Sequence, residues 1–232
     1  RDRYYPYRLW SNKVTKRVRP IFLTYSNGIF HLREYEFTTP ELYNSIHLIR
    51  HKKYAIQEGA INIENIQNIL NNIQVVEDPK LPFPQADSFE RVINLCELLK
   101  QKGFISKNDI TQNYDFDYRQ TNYYSSAARY LGLIKDVYEN RQTGCSLTQE
   151  GFRIFNLPIV ERQLEFVKLI LTHTVFQNTL NLYFEKGDAP TKDEVVEIMK
   201  EAQLYNIDSE QTYRRRASTI ISWINWILGL IE

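Results

Sequence analysis

A chain of 232 residues has room for two compact units, or three small ones. Its 43% apolar share supports real cores and excludes wholesale disorder. A formal net charge of +1 excludes a protein that is basic all over, so any nucleic-acid surface must be local.

Cys96 and Cys145, the only two cysteines, make no disulfide framework, and a reducing, cytoplasmic setting is expected. No apolar run approaches the roughly 20 residues of a membrane span, and the N-terminus lacks a signal-peptide profile. The chain opens on RDRYYPYR without an initiator Met, which fits a fragment or a processed product. An aromatic share of 13%, with 16 Tyr, suits a contact-rich surface or, more plainly, cores filled between short helices.

Residues 1–19 are basic and aromatic, with Arg1, Arg3, Arg8, Lys13, Lys16, Arg17 and Arg19 against Asp2. Pro20 to Tyr25 and Ile29 to Phe37 read as strands joined at Ser26-Asn27-Gly28, a strong hairpin signal. Thr39-Pro40-Glu41 has the form of a helix start, predicting a short helix through Ser45. A strand near Lys53–Ile56 completes a small α+β subdomain. Ile63, Ile66, Ile69, Leu70 and Ile73 form a helical stripe. DPKLPFPQAD follows, and its prolines predict a linker.

Ser88 is expected to cap a helix through about Lys102, with Val92, Leu95, Cys96 and Leu99 as its core face and Gly103 as its stop. Phe104-Ile105 is short and extended, and Ser106 caps a second helix through Asn113. After a turn at Asp115 to Asp117, Tyr118 to Leu131 makes a third. Two strands then turn around Gln142-Thr143-Gly144, and Thr148 caps the next helix. Three helices followed by a hairpin is the winged helix-turn-helix order. Further helices begin near Ile159. Thr191 and Glu194 form a capping box, and a last helix runs from about Glu210 to Leu228.

Gly229-Leu230-Ile231 copies Gly132-Leu133-Ile134 at an offset of 97 positions. The same offset matches Arg119 to Arg216, Ser125 to Ser222 and Leu131 to Leu228, a repeat weak in identity but good in pattern. The fold class read from these elements is mainly α with small β elements (α+β). Tandem winged helix-turn-helix units follow a small α+β subdomain. The expected domains are the subdomain at 1–80, a linker at 81–87, a winged helix-turn-helix at 88–158 and a second, winged-helix-like unit at 159–232.

In the helix Tyr118–Leu131, Tyr124, Ala127, Ala128 and Leu131 make a buried stripe. Tyr118, Arg119, Gln120, Asn122, Tyr123 and Arg129 are left to the other face, which suits a groove lined with acceptors and phosphates. Arg can grip guanine with two parallel bonds, and Gln120 or Asn122 can do the same for adenine. In the last helix Arg214, Arg215, Arg216 and Thr219 form the corresponding face, and Lys107, Tyr123 and Tyr213 suit phosphate oxygens. The plainer reading of the arginine triplet is a solvated face paired with Glu210 or Glu201. For a winged-helix pattern in general, it is a protein–protein scaffold.

A catalytic site does not emerge from the residues, and the catalytic groups are unknown. Walker, GxGxxG and GxSxG motifs are lacking. His47 and His51, spaced i, i+4 beside Lys52 and Lys53, read as structural or DNA-facing, and no metal site is expected. Asp78-Pro79-Lys80 lacks a preceding acid on a strand, and Glu34 and Glu36 lack a partner lysine.

DYRQTNYYSSAARYLGLI followed by CSLTQEG resembles the winged-helix region of several bacterial type II restriction endonucleases. TYRRRASTIISWINWILGLI is similar to the C-terminal end of the same proteins. RPIFLTYSNGIFHLREYEF with YNSIHLIRHKKYAI resembles a segment that accompanies those domains. The resemblance implies the double-stranded-DNA recognition part of a restriction–modification enzyme. Cleavage would then belong to a domain elsewhere, with double-stranded DNA and a nuclease domain or a second copy of the chain as partners, Mg²⁺ serving the parent nuclease and no cofactor in this chain. The metal-binding nuclease motif is missing from these residues. The rival expectations are a complete Mg-dependent endonuclease and a winged-helix transcription or replication regulator.

Overall fold

The computed structural model describes residues 4–26, 28–55, 59–106, 108–109, 118–139 and 141–231. The chain is a mixed α+β protein with two three-stranded sheets among the described residues, and it divides into two units, Arg1–Glu58 and Gly59–Glu232. None of the described helices is long and apolar enough to cross a membrane.

In the first unit, helix α1 (Tyr4–Ser11) precedes strands β1 (Ile21–Ser26), β2 (Ile29–Phe37) and β3 (Ile46–Ala55). They form an antiparallel sheet in the order β1-β2-β3. The hairpin expected around Gly28 is present, with Ser26 opposite Ile29 and Gly28 at φ 74°. Tyr4 and Tyr7 of α1 pack on Phe37, with ring centroids 5.4 and 4.6 Å apart. The short helix expected at Thr39–Ser45 is absent. Ser45 closes that stretch as a loop, its Oγ accepting from Thr39 N at 3.1 Å and donating to Leu42 O at 2.7 Å. A side chain that bonds local backbone in this way competes directly with a helical turn. Strand β3 is longer than expected, so His47 and His51 lie on a strand and not on one helix face. His51 instead meets His31 across the sheet, Nε2 to Nδ1 at 3.0 Å.

The second unit begins with α2 (Ile63–Asn72), which Asn62 and Asn65 cap reciprocally. The stripe Ile66 and Leu70 is buried, and α2 packs on α6 (Ile159–Leu171). This helix, expected in the subdomain 1–80, therefore belongs to the second unit. The stretch 81–87, expected as a linker, is a strap within the core. Phe83 and Ala86 are buried, Trp223 Nε1 donates to Ala86 O at 2.7 Å, and Thr219 Oγ1 donates to Asp87 at 2.7 Å. Prolines lack backbone N–H donors, so an extended Pro-rich segment can thread between helices with fewer groups left to satisfy.

Helix α3 (Phe89–Lys102) ends at Gly103, φ 76°. Strand β4 (Phe104–Ser106), helix α4 (Tyr118–Tyr130), strands β5 (Ile134–Glu139) and β6 (Gln142–Leu147) follow, and the sheet runs β4-β6-β5. The Ser106 cap is present, its Oγ accepting from Asp109 N at 3.1 Å. Beyond residues 108–109, the rest of the second helix and the turn Asp115–Asp117 fall outside the described residues. The hairpin turns at Arg141, φ 62°, and Gln142-Thr143-Gly144 lies inside β6. Gly144 serves close approach: a Cβ there would sit 2.2 Å from Ile105 O and 2.5 Å from the Phe104 ring.

Thr148 caps α5 (Gln149–Phe155), and Thr191 and Glu194 complete the expected capping box on α8 (Lys192–Glu201). Helices α6, α7 (Thr174–Lys186), α8 and α9 (Glu210–Leu228) fill residues 159–228 without a hairpin. The repeat also ends differently. Gly132 is left-handed at φ 69°, whereas Gly229 keeps a right-handed φ of −72°. One continuous hydrophobic core runs from Ile61 to Ile227. Its aromatic centre links four helices, with Trp223 4.9 Å from Phe89 and 5.2 Å from Phe176, and Phe89 5.7 Å from Phe166.

Candidate functional site

Helix α4 owes its setting to two small residues. Ala127 and Ala128 are fully buried, which lets the helix lie close against α3. Tyr124 lies partly buried against the core, its hydroxyl accepting from Arg91 Nη1 of α3 at 3.4 Å. The C-terminal end is locked: Leu133 N donates to Ala128 O at 2.9 Å, and Thr148 Oγ1 donates to Gly132 O at 2.6 Å. On a helix fixed at its C-terminus and flank, Tyr123 is exposed.

The expected contact residues meet different fates. Lys107 lies outside the described residues, as do the side chains of Tyr118, Arg119 and Gln120. Asn122 is partly exposed beside Tyr123. Arg129 is engaged within the fold: Nε donates to Asp136 Oδ1 of β5 at 3.0 Å, and Nη1 and Nη2 reach Ser126 and Ser125 at 3.3 Å. It ties α4 to the hairpin, and its charge is already answered.

On α9, Arg214 donates to Asp193 Oδ1 at 2.6 Å and lies 3.6 Å from Glu210, so a solvated, paired face describes it. Arg216 is half-buried and donates from Nη1 to Gln85 of the strap at 2.8 Å, while its Nε has no partner among the described residues. Burial lowers its pKa; Tyr123 opposes that shift and the adjacent Arg215 adds to it. Thr219 is completely buried on Asp87, which makes it a packing residue and removes it from the contact face. Tyr213 lies partly buried against the core. Arg215 is exposed.

Tyr123 is exposed on α4, and Arg215 is exposed on α9 next to the half-buried Arg216. What α9 offers chemically is a local cationic surface, on a protein of near-zero net charge. A partly desolvated guanidinium with an unused donor gains more from an anion than one in bulk water. The hairpin adds two residues that the sequence reading missed, Tyr138, 73% exposed, and Arg141 at its tip, exposed as well. Alternation along β5 and the turn position were the available signals, and placing the turn at Gln142–Gly144 hid them.

A family model described as Domain of unknown function (DUF7226) matches residues 91–232, and the chain belongs to that family. The match runs unbroken from α3 to the C-terminus, across the boundary expected at 158. A second model, Domain of unknown function (DUF6997), matches residues 1–55. Neither a curated protein nor a solved structure matches the chain.

Proposed function

We propose that this member of the DUF7226 family binds double-stranded DNA sequence-specifically, as the target-recognition part of a type II restriction endonuclease. The observation that carries the reading is the exposed Arg215 on α9, next to Arg216, together with Tyr123 exposed on α4. The order α3, β4, α4, β5, β6, with β6 central in its sheet, supports a winged helix whose α4 is the reading helix. The major groove admits a helix, and Arg119, Gln120 and Asn122 on its first turns carry the right donors for guanine and adenine edges. Arg215 and the tip residue Arg141 are exposed cations of the kind that suits phosphates, which fix register without reading sequence. A second such helix in α9 adds to the same reading head, with Arg215 in place of the paired Arg214. Cleavage would reside in a separate domain using Mg²⁺.

Selection of bound duplexes from a random pool, with and without Mg²⁺, tests this. Enrichment of one short motif is expected. Arg119→Ala should then cost about 1–3 kcal/mol and relax the preference at one base position. Lys107→Ala and Arg215→Ala should weaken all sequences alike. Equal loss on selected and random duplexes for Arg119→Ala would defeat base reading. Mg²⁺-dependent cutting of plasmid by this chain alone would point instead to a complete nuclease.

A further inference from the structure

The sheet of the first unit has two unlike faces. Side chains alternate along each strand, and α1 packs on the face that carries Phe37. The opposite face is set out in rows by the register. Tyr25, Phe30 and Tyr54 lie side by side across the three strands, then Leu23, Leu32 and Lys52, then Ile21, Glu34 and Arg50. The Tyr25 and Phe30 rings are 4.8 Å apart, which confirms that they share a face. Tyr25 is 64% exposed, Leu23 58% and Tyr54 50%.

Charge decides what such a face takes. Its two carboxylates are both answered: Glu34 by a two-pronged bond from Arg19 at 2.6 and 2.7 Å, and Glu36 by Arg17 at 2.6 Å. Lys52 and Arg50 are exposed in addition to those two arginines, so cations exceed acids around the aromatic row. A row of open rings edged by cations is the composition that holds single-stranded nucleic acid. Each base offers a flat face to a ring, and the backbone offers phosphates to the cations. Bases inside a duplex are already stacked and are not open to such a platform. A second copy of this chain would meet the same excess positive charge.

We propose that this sheet face binds single-stranded nucleic acid, with Tyr25, Phe30 and Tyr54 stacking on bases and Lys52 and Arg50 meeting phosphates. The site is separate from the duplex surface of the second unit and does not depend on it.

Fluorescence anisotropy on the full 232-residue chain tests it. The probes are labelled oligothymidylate and oligouridylate of roughly 15 nucleotides, the size such grooves accept, and a duplex of equal length. Tyr25→Ala and Tyr54→Ala are each expected to weaken single-strand binding about tenfold, with duplex affinity unchanged. Tyr54→Phe, which keeps the ring, should retain it. Lys52→Glu should weaken binding and flatten its salt dependence, and it carries the test if a Tyr→Ala variant fails to fold. Arg215→Ala should affect the duplex only, so the two readings fail separately. Unchanged single-strand affinity in the Tyr25→Ala/Tyr54→Ala variant would overturn the proposal. So would a self-association, seen by sedimentation, that these substitutions abolish while the wild type ignores both oligonucleotides.

Discussion

Asp78 joins three parts of the second unit. Its Oδ1 accepts from Tyr130 OH of α4 at 2.8 Å and lies 2.6 Å from Nδ1 of His173, at the start of α7. A carboxylate only accepts, so Nδ1 is the protonated nitrogen of that imidazole. Burial pushes the Asp78 carboxyl up, but the bonds from His173 and Tyr130 outweigh it and hold the pKa below the ordinary 3.8. Tyr130 and His173 are both buried, so Asp78→Ala strands two donors and should cost about 1–3 kcal/mol for each. The pH dependence has a definite sign. The folded state binds the proton more weakly than the unfolded chain, so the contribution is fully present above about pH 4. It fades as the pH falls through the depressed folded-state value. Urea midpoints of wild type and Asp78→Asn, followed from pH 7 down to pH 2, should therefore converge at the acid end. A constant gap would show that the carboxylate's charge is not what stabilises the junction.

At the scale of elements, the strap 78–87 separates what the sequence discloses from what it conceals. Phe83 lies between Tyr130 and Phe176, with centroids at 5.4 and 5.8 Å. Phe83→Ala should cost about 3–5 kcal/mol, as for a core aromatic, where a residue of a true linker would change stability by less than about 0.5 kcal/mol. The equilibrium urea midpoint decides between them. The local pattern held only the prolines, and the burial was written in Tyr130, Phe176 and Trp223, far along the chain. Where the cause is local, the sequence was readable: Thr148, Thr191 with Glu194, and Gly132 mark helix ends through bonds to residues within a few positions. The helix start at Thr39-Pro40 failed because Ser45 gave the same backbone a competing partner. The candidate site divides in the same way. Helical spacing placed Arg214, Arg215 and Arg216 on one helix, but spacing cannot reveal that Asp193 and Gln85 come from elsewhere to hold the first and the last.

Over the whole molecule, positive charge is a matter of place, because 29 Lys and Arg are set against 28 Asp and Glu. A chain balanced in this way has little long-range attraction for DNA, so the duplex binding proposed above would have to come from the few cations that remain unanswered. Each phosphate neutralised on B-DNA releases condensed counterions and steepens the fall of log K with log salt by about 0.9. Arg215, exposed and without a paired acid among the described residues, should contribute close to that full increment. Arg214 exchanges one partner for another when it turns from Asp193 and Glu210 to a phosphate, so its contribution should be much smaller. Arg129, bound to Asp136 within the fold, should leave the slope unchanged and lower stability instead. Duplex titrations between roughly 50 and 200 mM salt on Arg215→Ala, Arg214→Ala and Arg129→Ala check this order. Equal slope changes for Arg215 and Arg214 would mean that the pairing with Asp193 and Glu210 does not govern which arginine meets the duplex. In that event the contact surface would extend across the whole exposed start of α9, and the preference for Arg215 would fall.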